Sequence, residues 1–372
     1  MSYSENIDWI LINGRNIAIA LAVVLALINY RNIFKVIRMP RSKLIEAFLM
    51  FQVFFIVKIW VYGDKDFALQ GAAILFLLGV VTINVIDRII WFDDQFISKV
   101  LLAFSVAFVV VNIYVYVVYQ DISAVHGRLF ATMVNPQHLT MTSALALPAV
   151  FGSFLIERRS RLSDVLGIVV CSGLMFIIFK TGSRTGLFVA AFSLLTLIIL
   201  KYKAKGALFL AFSVALTMLL HPEGAFFVDE VSEYTSRGDT RSEIWQDELD
   251  YFIKNPLFGK DLNAQGRVAF SESLWLSILS NAGIFGLVIT IYLMSRIIKL
   301  IILINKLQTQ TAQLKYVYSI SLSIIFFMSF FESLFAGYLT SMTYLSCLYF
   351  LGAERLIATD KRLANSAPLR PA

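Results

Sequence analysis

What most limits this chain is the recurrence, along nearly its whole length, of apolar runs long enough to cross about 30 Å of hydrocarbon. Of its 372 residues, 58% are hydrophobic and only 15% are charged. Backbone amides and carbonyls in lipid must find partners within their own segment, so such runs form helices and not open strands. Spans are predicted at 10–29, 44–62, 68–86, 100–119, 139–156, 163–179, 185–200, 206–220, 272–294, 316–336 and 338–354. The expected architecture is therefore all-α: a polytopic membrane helix bundle of about eleven transmembrane helices. It forms a single transmembrane domain over 1–354, interrupted by one long loop at 221–271 and followed by a cytoplasmic tail at 355–372. The stretch after Thr359 looks disordered, and no internal repeat is visible. Residues 1–9 are acidic and the first apolar run continues into a basic loop, which predicts an uncleaved N-terminus.

Charge orients the bundle. Alternate connections hold 21 of the 32 Lys and Arg residues, and basic residues collect on the cytoplasmic side. The N-terminus is then outside and the C-terminus inside, as an odd number of spans requires. The net charge of +7 reflects this topology and does not call for nucleic acid. Cys171 and Cys347 fall inside apolar runs and read as packing residues. The three histidines, His126, His138 and His221, have no metal-ligand spacing, so no metal site and no cofactor is expected. Lys58 lies close enough to a helix end to snorkel.

Within the long outward loop, RSEIWQDELDYFIK (241–254) places Ile244, Trp245, Leu249, Phe252 and Ile253 roughly on one helical face. Asn255-Pro256 ends that helix and Gly259 closes the turn. An amphipathic helix with a Trp here is expected to lie at the membrane interface and cover the bundle; a packed lid without chemistry accounts for it equally.

Polar residues cluster at the outer helix ends. Lys180-Thr181-Gly182-Ser183-Arg184-Thr185-Gly186 joins two spans with almost no loop. Ser183 can cap the incoming helix, and its free N–H groups and Arg184 then converge on one spot suited to an anion. A tight turn whose arginine snorkels to lipid phosphate explains the same residues. Arg128 and Asn135-Pro136-Gln137-His138 form a second cluster, in which Asn and Pro are ordinary helix-start residues and a buried, hydrogen-bonded His138 is the commoner outcome. A third comprises Arg237, Arg241 and Arg267, with Glu272 opening the next helix, where the helix dipole alone favours an acid. Glu332 lies near the outer end of its span, and an ionisable group inside the bilayer usually faces a cavity. Arginines of this kind pair with a diphosphate in bidentate fashion, and a carboxylate can take a hydroxyl proton.

Four segments carry a resemblance to a known family. GRLFATMVNPQH (127–138), TGSRTG (181–186), RSEIWQDELDYFIKNPLFG (241–259) and SESLWLSILSNAGIFG (271–286) resemble, in order and spacing, the O-antigen ligase/polymerase superfamily over about residues 125–290. The resemblance implies a metal-independent membrane glycosyltransferase of the bacterial inner membrane, working at the periplasmic face on a glycan linked to undecaprenyl diphosphate. Its site residues would be Glu272, Arg184 and Arg241 in catalysis, with Arg128, Asn135, His138, Ser183, Arg237, Arg267 and Glu332 binding substrate. Ligases of this family carry a histidine, then Asn, Ser or Gln, then nine residues before Gly-x-x-Gly. Here Gly283 and Gly286 are in register, Ser273 takes the second position, and Glu272 stands in place of the histidine. The acid is more like the polymerase branch, which joins repeat units of O-antigen, capsule or exopolysaccharide. A ligase moving finished glycan to lipid A-core is the alternative. A transporter or flippase of the same lipid would need internal repeats or broken helices, and neither is apparent; a membrane scaffold fits poorly with so many outward arginines. Expected partners are the lipid-linked glycan and the bilayer, with a chain-length regulator and a flippase as further candidates.

Overall fold

The computed structural model describes residues 42–76, 96–119, 124–125, 128–133, 136–152, 161–202, 241–260, 273–307, 312–331 and 341–366. The spans expected at 10–29 and 206–220 lie outside the described residues, as do the end of the 68–86 span and most of the 221–271 loop. Ten helices are described: α1 (Lys43–Tyr62), α2 (Lys65–Ile74), α3 (Phe96–Val118), α4 (Pro136–Val150), α5 (Arg161–Lys180), α6 (Arg184–Tyr202), α7 (Arg241–Lys254), α8 (Leu274–Asn305), α9 (Ala312–Met328) and α10 (Ser341–Ser366). The one departure from all-α among these residues is a two-residue antiparallel ladder, β1 (Ala124–Val125) against β2 (Arg128–Leu129).

Helix composition follows the demands of lipid. By length and composition, α1, the Lys99–Val118 part of α3, and α8 can each cross a membrane, while α5, α6 and α9 carry shorter apolar stretches. The chain is a helical membrane protein. Its outer faces are apolar: Val110, Val111, Tyr114 and Val117 on α3, and Ile284, Phe285, Val288 and Ile291 on α8, are exposed. In water such surface would be an association hazard; in a bilayer it meets chains as apolar as itself.

At the centre stands α4, buried without interruption from Leu139 to Val150 and packed against α3, α5, α6, α9 and α10. A helix surrounded on every side has no polar face, and its hydroxyls must be satisfied locally. Thr140, Thr142 and Ser143 donate to the carbonyls of Pro136, His138 and Leu139 at 3.0, 2.8 and 2.8 Å. From α10 the Tyr349 hydroxyl reaches across to the Leu145 carbonyl.

Two expectations about helix ends need correction. The stretch after Thr359 does not begin as disordered chain: α10 continues to Ser366. The span placed at 272–294 is the first part of a longer helix, α8, which is broken at Gly283 (φ 58, ψ −152). A break of this kind is invisible to hydropathy, because the apolar pattern runs straight through it.

Candidate functional site

The 181–186 turn is built largely from residues close to it in sequence, with Thr140 and Arg128 joining it from farther along the chain. At the end of α5 the Thr181 amide donates to Ile177 O (3.0 Å) and the Gly182 amide to Phe179 O (3.1 Å). Gly182 takes the left-handed conformation (φ 64) that such a helix end requires. Ser183 then caps α6: its Oγ accepts from the Gly186 amide at 3.2 Å, as the sequence led us to expect. The fully buried Thr181 hydroxyl lies within hydrogen-bonding distance of Ile178 O (2.6 Å) and of the Thr140 hydroxyl on α4. Gly186 permits that approach, since a Cβ there would sit 1.7 Å from Thr140 Cγ2.

The second cluster is joined to this turn. The β1–β2 ladder presents Arg128, whose Nε donates to the Thr181 carbonyl at 2.9 Å. Segments 127–138 and 181–186, distant in sequence, thus meet through a guanidinium. The turn following the ladder is held by Asn112 of α3, whose Oδ1 accepts from the Thr132 hydroxyl at 2.7 Å. Pro136 opens α4 as expected, and Asn135 before it lies outside the described residues. His138, just ahead of the apolar stretch, is half-buried, and burial holds its pKa below the ordinary histidine value. Its ring makes no hydrogen bond to the described residues. Arg184, the first residue of α6, is exposed and forms no ion pair among the described residues.

A third junction ties α8 to α9. The Leu274 amide donates to Ser329 O (3.2 Å), Trp275 Nε1 donates to Ser329 Oγ (3.2 Å), and the Trp275 indole stacks on Phe330 with centroids 5.5 Å apart. Phe327, in the last turn of α9, in turn meets Phe188, one turn into α6, at 5.6 Å. The starts of α6 and α8 therefore flank the C-terminal end of α9 at one end of the bundle. Glu272 directly precedes Ser273 of this junction, and Glu332 directly follows Phe331. Both lie outside the described residues, as do Arg237, Arg267 and the side chain of Arg241.

The fourth piece is α7 and the turn after it. This helix ends at Lys254, and Gly259 is left-handed (φ 76), both as expected. Its buried face differs from the expected one. Ile244, Trp245 and Phe252 are partly covered, Glu248 is buried, and Leu249 and Ile253 are exposed, at 42% and 71%. The acid is accommodated by Lys260, whose Nζ lies 3.2 Å from Glu248 Oε1 and also 5.1 Å from the Tyr251 ring centroid. With Glu248 turned inward by this pair, Leu249 and Ile253 rotate onto an apolar outer surface continuous with Leu257, Phe258 and Phe285.

This turn docks into the break in α8. The Ile284 amide donates to Pro256 O (2.9 Å), and the Lys260 amide to Ser280 O. A Cβ on Gly283 would come within 2.4 Å of the Leu257 carbonyl oxygen, and one on Gly259 within 2.3 Å of the Asn281 carbonyl carbon. Lys58 does not snorkel. It is 9% exposed, and its Nζ donates to Phe258 O (2.8 Å), Lys260 O (2.8 Å) and Asn281 O.

Of the residues singled out from sequence, the fold joins Arg128 to the turn carrying Ser183 and Arg184, with His138 on the helix packed beside it. Thr181, Thr140, Ser329 and Lys58 were missed. Thr140 and Ser329 resemble any polar residue in an apolar helix; Lys58, a lysine four residues from a helix end, carried the stronger signal and was assigned to lipid.

Comparison with known proteins agrees with the resemblance. Residues 166–291 match a family model described as O-antigen ligase. The matched stretch begins within α5, takes in the 181–186 turn and α7, and ends beyond the break in α8. The chain is similar over this stretch to the O-antigen ligase/polymerase superfamily, and the match indicates an activity of that general type. The expected reach back to residue 125 is not part of the match. No curated protein matches the chain.

Proposed function

We propose that this protein is a polysaccharide polymerase of the inner membrane, joining oligosaccharide repeat units carried on undecaprenyl diphosphate at the periplasmic face. What carries the proposal is the shared position of the α6 and α8 starts around the end of α9, since Arg184 opens the first of these helices and Glu272 directly precedes the second. In the proposed reaction the Glu272 carboxylate takes the proton of a sugar hydroxyl on one lipid-linked unit. That oxygen bonds to the anomeric carbon of the other unit, and its C–O bond to phosphate breaks. The diphosphate leaves with the electron pair, and Arg184 and Arg241 neutralise the charge growing on it. Arg128, Ser183, Asn135, His138, Arg237, Arg267 and Glu332 would line the approach of the diphosphate and the sugars.

The test is chain growth in cells. Deletion of the gene should leave single repeat units and no long chains; retained long polymer rejects the proposal. Arg184→Ala, Arg241→Ala and Glu272→Ala should each abolish the chain-length ladder while the protein still inserts, and normal ladders from all three reject the site.

One observation favours a second reading: the family model that matches is that of the ligase. A ligase mutant would accumulate polymer on the lipid carrier and fail to transfer it to lipid A-core, which gel analysis of lipopolysaccharide separates from absent polymer. The transporter reading gains one broken helix, α8, but the described residues show no matching break in a second half of the chain.

A further inference from the structure

We propose that Lys58 is a positioning residue, an internal cation that clamps the turn after α7 to the broken segment of α8 and so sets Glu272 relative to Arg241. The functional half of this inference rests on the reaction proposed above; the clamp itself does not.

An ammonium group has three N–H donors and no acceptor. The three carbonyls around Lys58 Nζ, those of Phe258, Lys260 and Asn281, match that count. Each stands where regular helix stops. Phe258 and Lys260 lie beyond the end of α7, where the chain turns back at left-handed Gly259. Asn281 stands two residues before Gly283, where the backbone of α8 is non-helical. Neighbouring carbonyls are taken by main-chain amides, Pro256 O by Ile284 and Ser280 O by Lys260. Helix C-terminal ends also carry partial negative charge, and the end of α7 and the first segment of α8 both bring such ends to this point. A cation at their junction is favoured where a neutral side chain is not.

The consequence for the site follows from the elements that are held. The first segment of α8, from Leu274 to Ala282, is tied to Ser329 at one end and to Lys58 near the other, and Glu272 immediately precedes it. Likewise α7 starts at Arg241, and the turn following its far end is held by Lys58. Of the three proposed catalytic groups, Arg241 opens α7 and Glu272 comes just before α8 in the chain, and these two elements meet at one lysine. Lys58 touches neither substrate nor reacting atoms in this scheme; it sets the angle between two levers.

The full chain in lipid nanodiscs allows both halves to be tested. In K58M the amides of 257–260 and 280–286 should exchange with deuterium at least about tenfold faster than in the wild type; unchanged exchange overturns the clamp. With lipid-diphosphate-linked repeat units as substrate, K58M should lower kcat on the order of 100-fold with KM changed less than about threefold, because geometry and not binding is lost. K58R keeps the charge but not the convergence of three donors, and should fall between. A wild-type kcat in K58M, alongside an inactive E272Q control, overturns the positioning role and leaves the polymerase reading standing. If the wild type extends no chains, the polymerase reading fails and the exchange data alone decide the clamp. Should K58M not insert, an amine-reactive footprint of the wild type decides. Lys58 should stay unmodified while exposed Lys254 reacts, and equal modification of the two overturns the proposal.

Discussion

Two helices of this bundle begin with a serine next to a charged residue, and they are secured in opposite ways. At the start of α6, Ser183 caps its own helix, the preceding turn closes on α5 carbonyls, and Arg184 follows at the first helical position. At the start of α8, Ser273 makes no side-chain capping bond although it is 3% exposed. There the fixing groups come from elsewhere in the chain: Ser329 holds Leu274 and Trp275, and the far end of the segment is held by the turn after α7 and by Lys58. The first start draws mainly on residues 177–186, with Thr140 and Arg128 joining from 41 and 53 positions away, and its cap is its own serine; the second has no cap of its own and depends on contacts with residues about 20 to 220 positions away. A helix segment held at both ends by other elements transmits their displacement, and one capped by its own serine does not. On the proposed function this separates a fixed anion-binding corner at Arg184 from an adjustable base at Glu272.

The largest expected effect comes from attacking the distant anchor of α8. Gly283→Ala places a Cβ 2.4 Å from a main-chain oxygen, in a backbone conformation that essentially only glycine adopts. Strain and overlap together should cost at least about 3 kcal/mol. Folded yield in detergent should fall steeply, with loss of the 256–260 turn in hydrogen exchange. A variant that retained wild-type melting would mean that α8 does not rely on this junction, and the contrast with α6 would collapse.

Gly186→Ala tests the locally built corner. Its Cβ would overlap Thr140 Cγ2, a methyl on the central helix, and should cost about 1–3 kcal/mol. Because the clash is with a single methyl, Thr140→Ser should recover most of the loss. Serine removes that carbon and keeps the hydroxyl that meets Thr181. Thermal melts of the two single variants and the double variant give the coupling directly. Additive losses would show that the strain lies in the α6 backbone and not in its packing on α4.

The same division explains what was readable before the fold was known. The 181–186 turn was legible because its determinants are adjacent in sequence: a capping serine, a glycine at the helix end, and apolar runs on both sides. The end of α7 at Asn255-Pro256 was legible for the same reason. The break in α8 was not. Gly283 was noticed only as half of a Gly-x-x-Gly pattern, and nothing local says that a turn 24 to 27 residues upstream will dock into it. The inward face of α7 was misjudged because periodicity ranks Leu249 and Ile253 above Glu248, whereas the ion pair with Lys260 reverses the order. Lys58 was assigned to lipid by distance from a helix end, a rule that knows nothing of three carbonyls presented by other elements.

The smallest effects give the finest comparison. Ser183→Ala removes an acceptor from the Gly186 amide, and losing a cap of this kind costs typically about 1 kcal/mol. Ser273→Ala removes no capping bond, so its cost should stay within about 0.5 kcal/mol, although the residue is the more buried of the two. Burial alone predicts the reverse order. Paired melts in one detergent can resolve a difference of this size if both variants unfold with the same slope. A larger loss at Ser273 than at Ser183 would show that its hydroxyl is engaged after all, and that the start of α8 is capped as locally as the start of α6. The segment leading to Glu272 would then be fixed, and the lever held by Lys58 would have nothing to move.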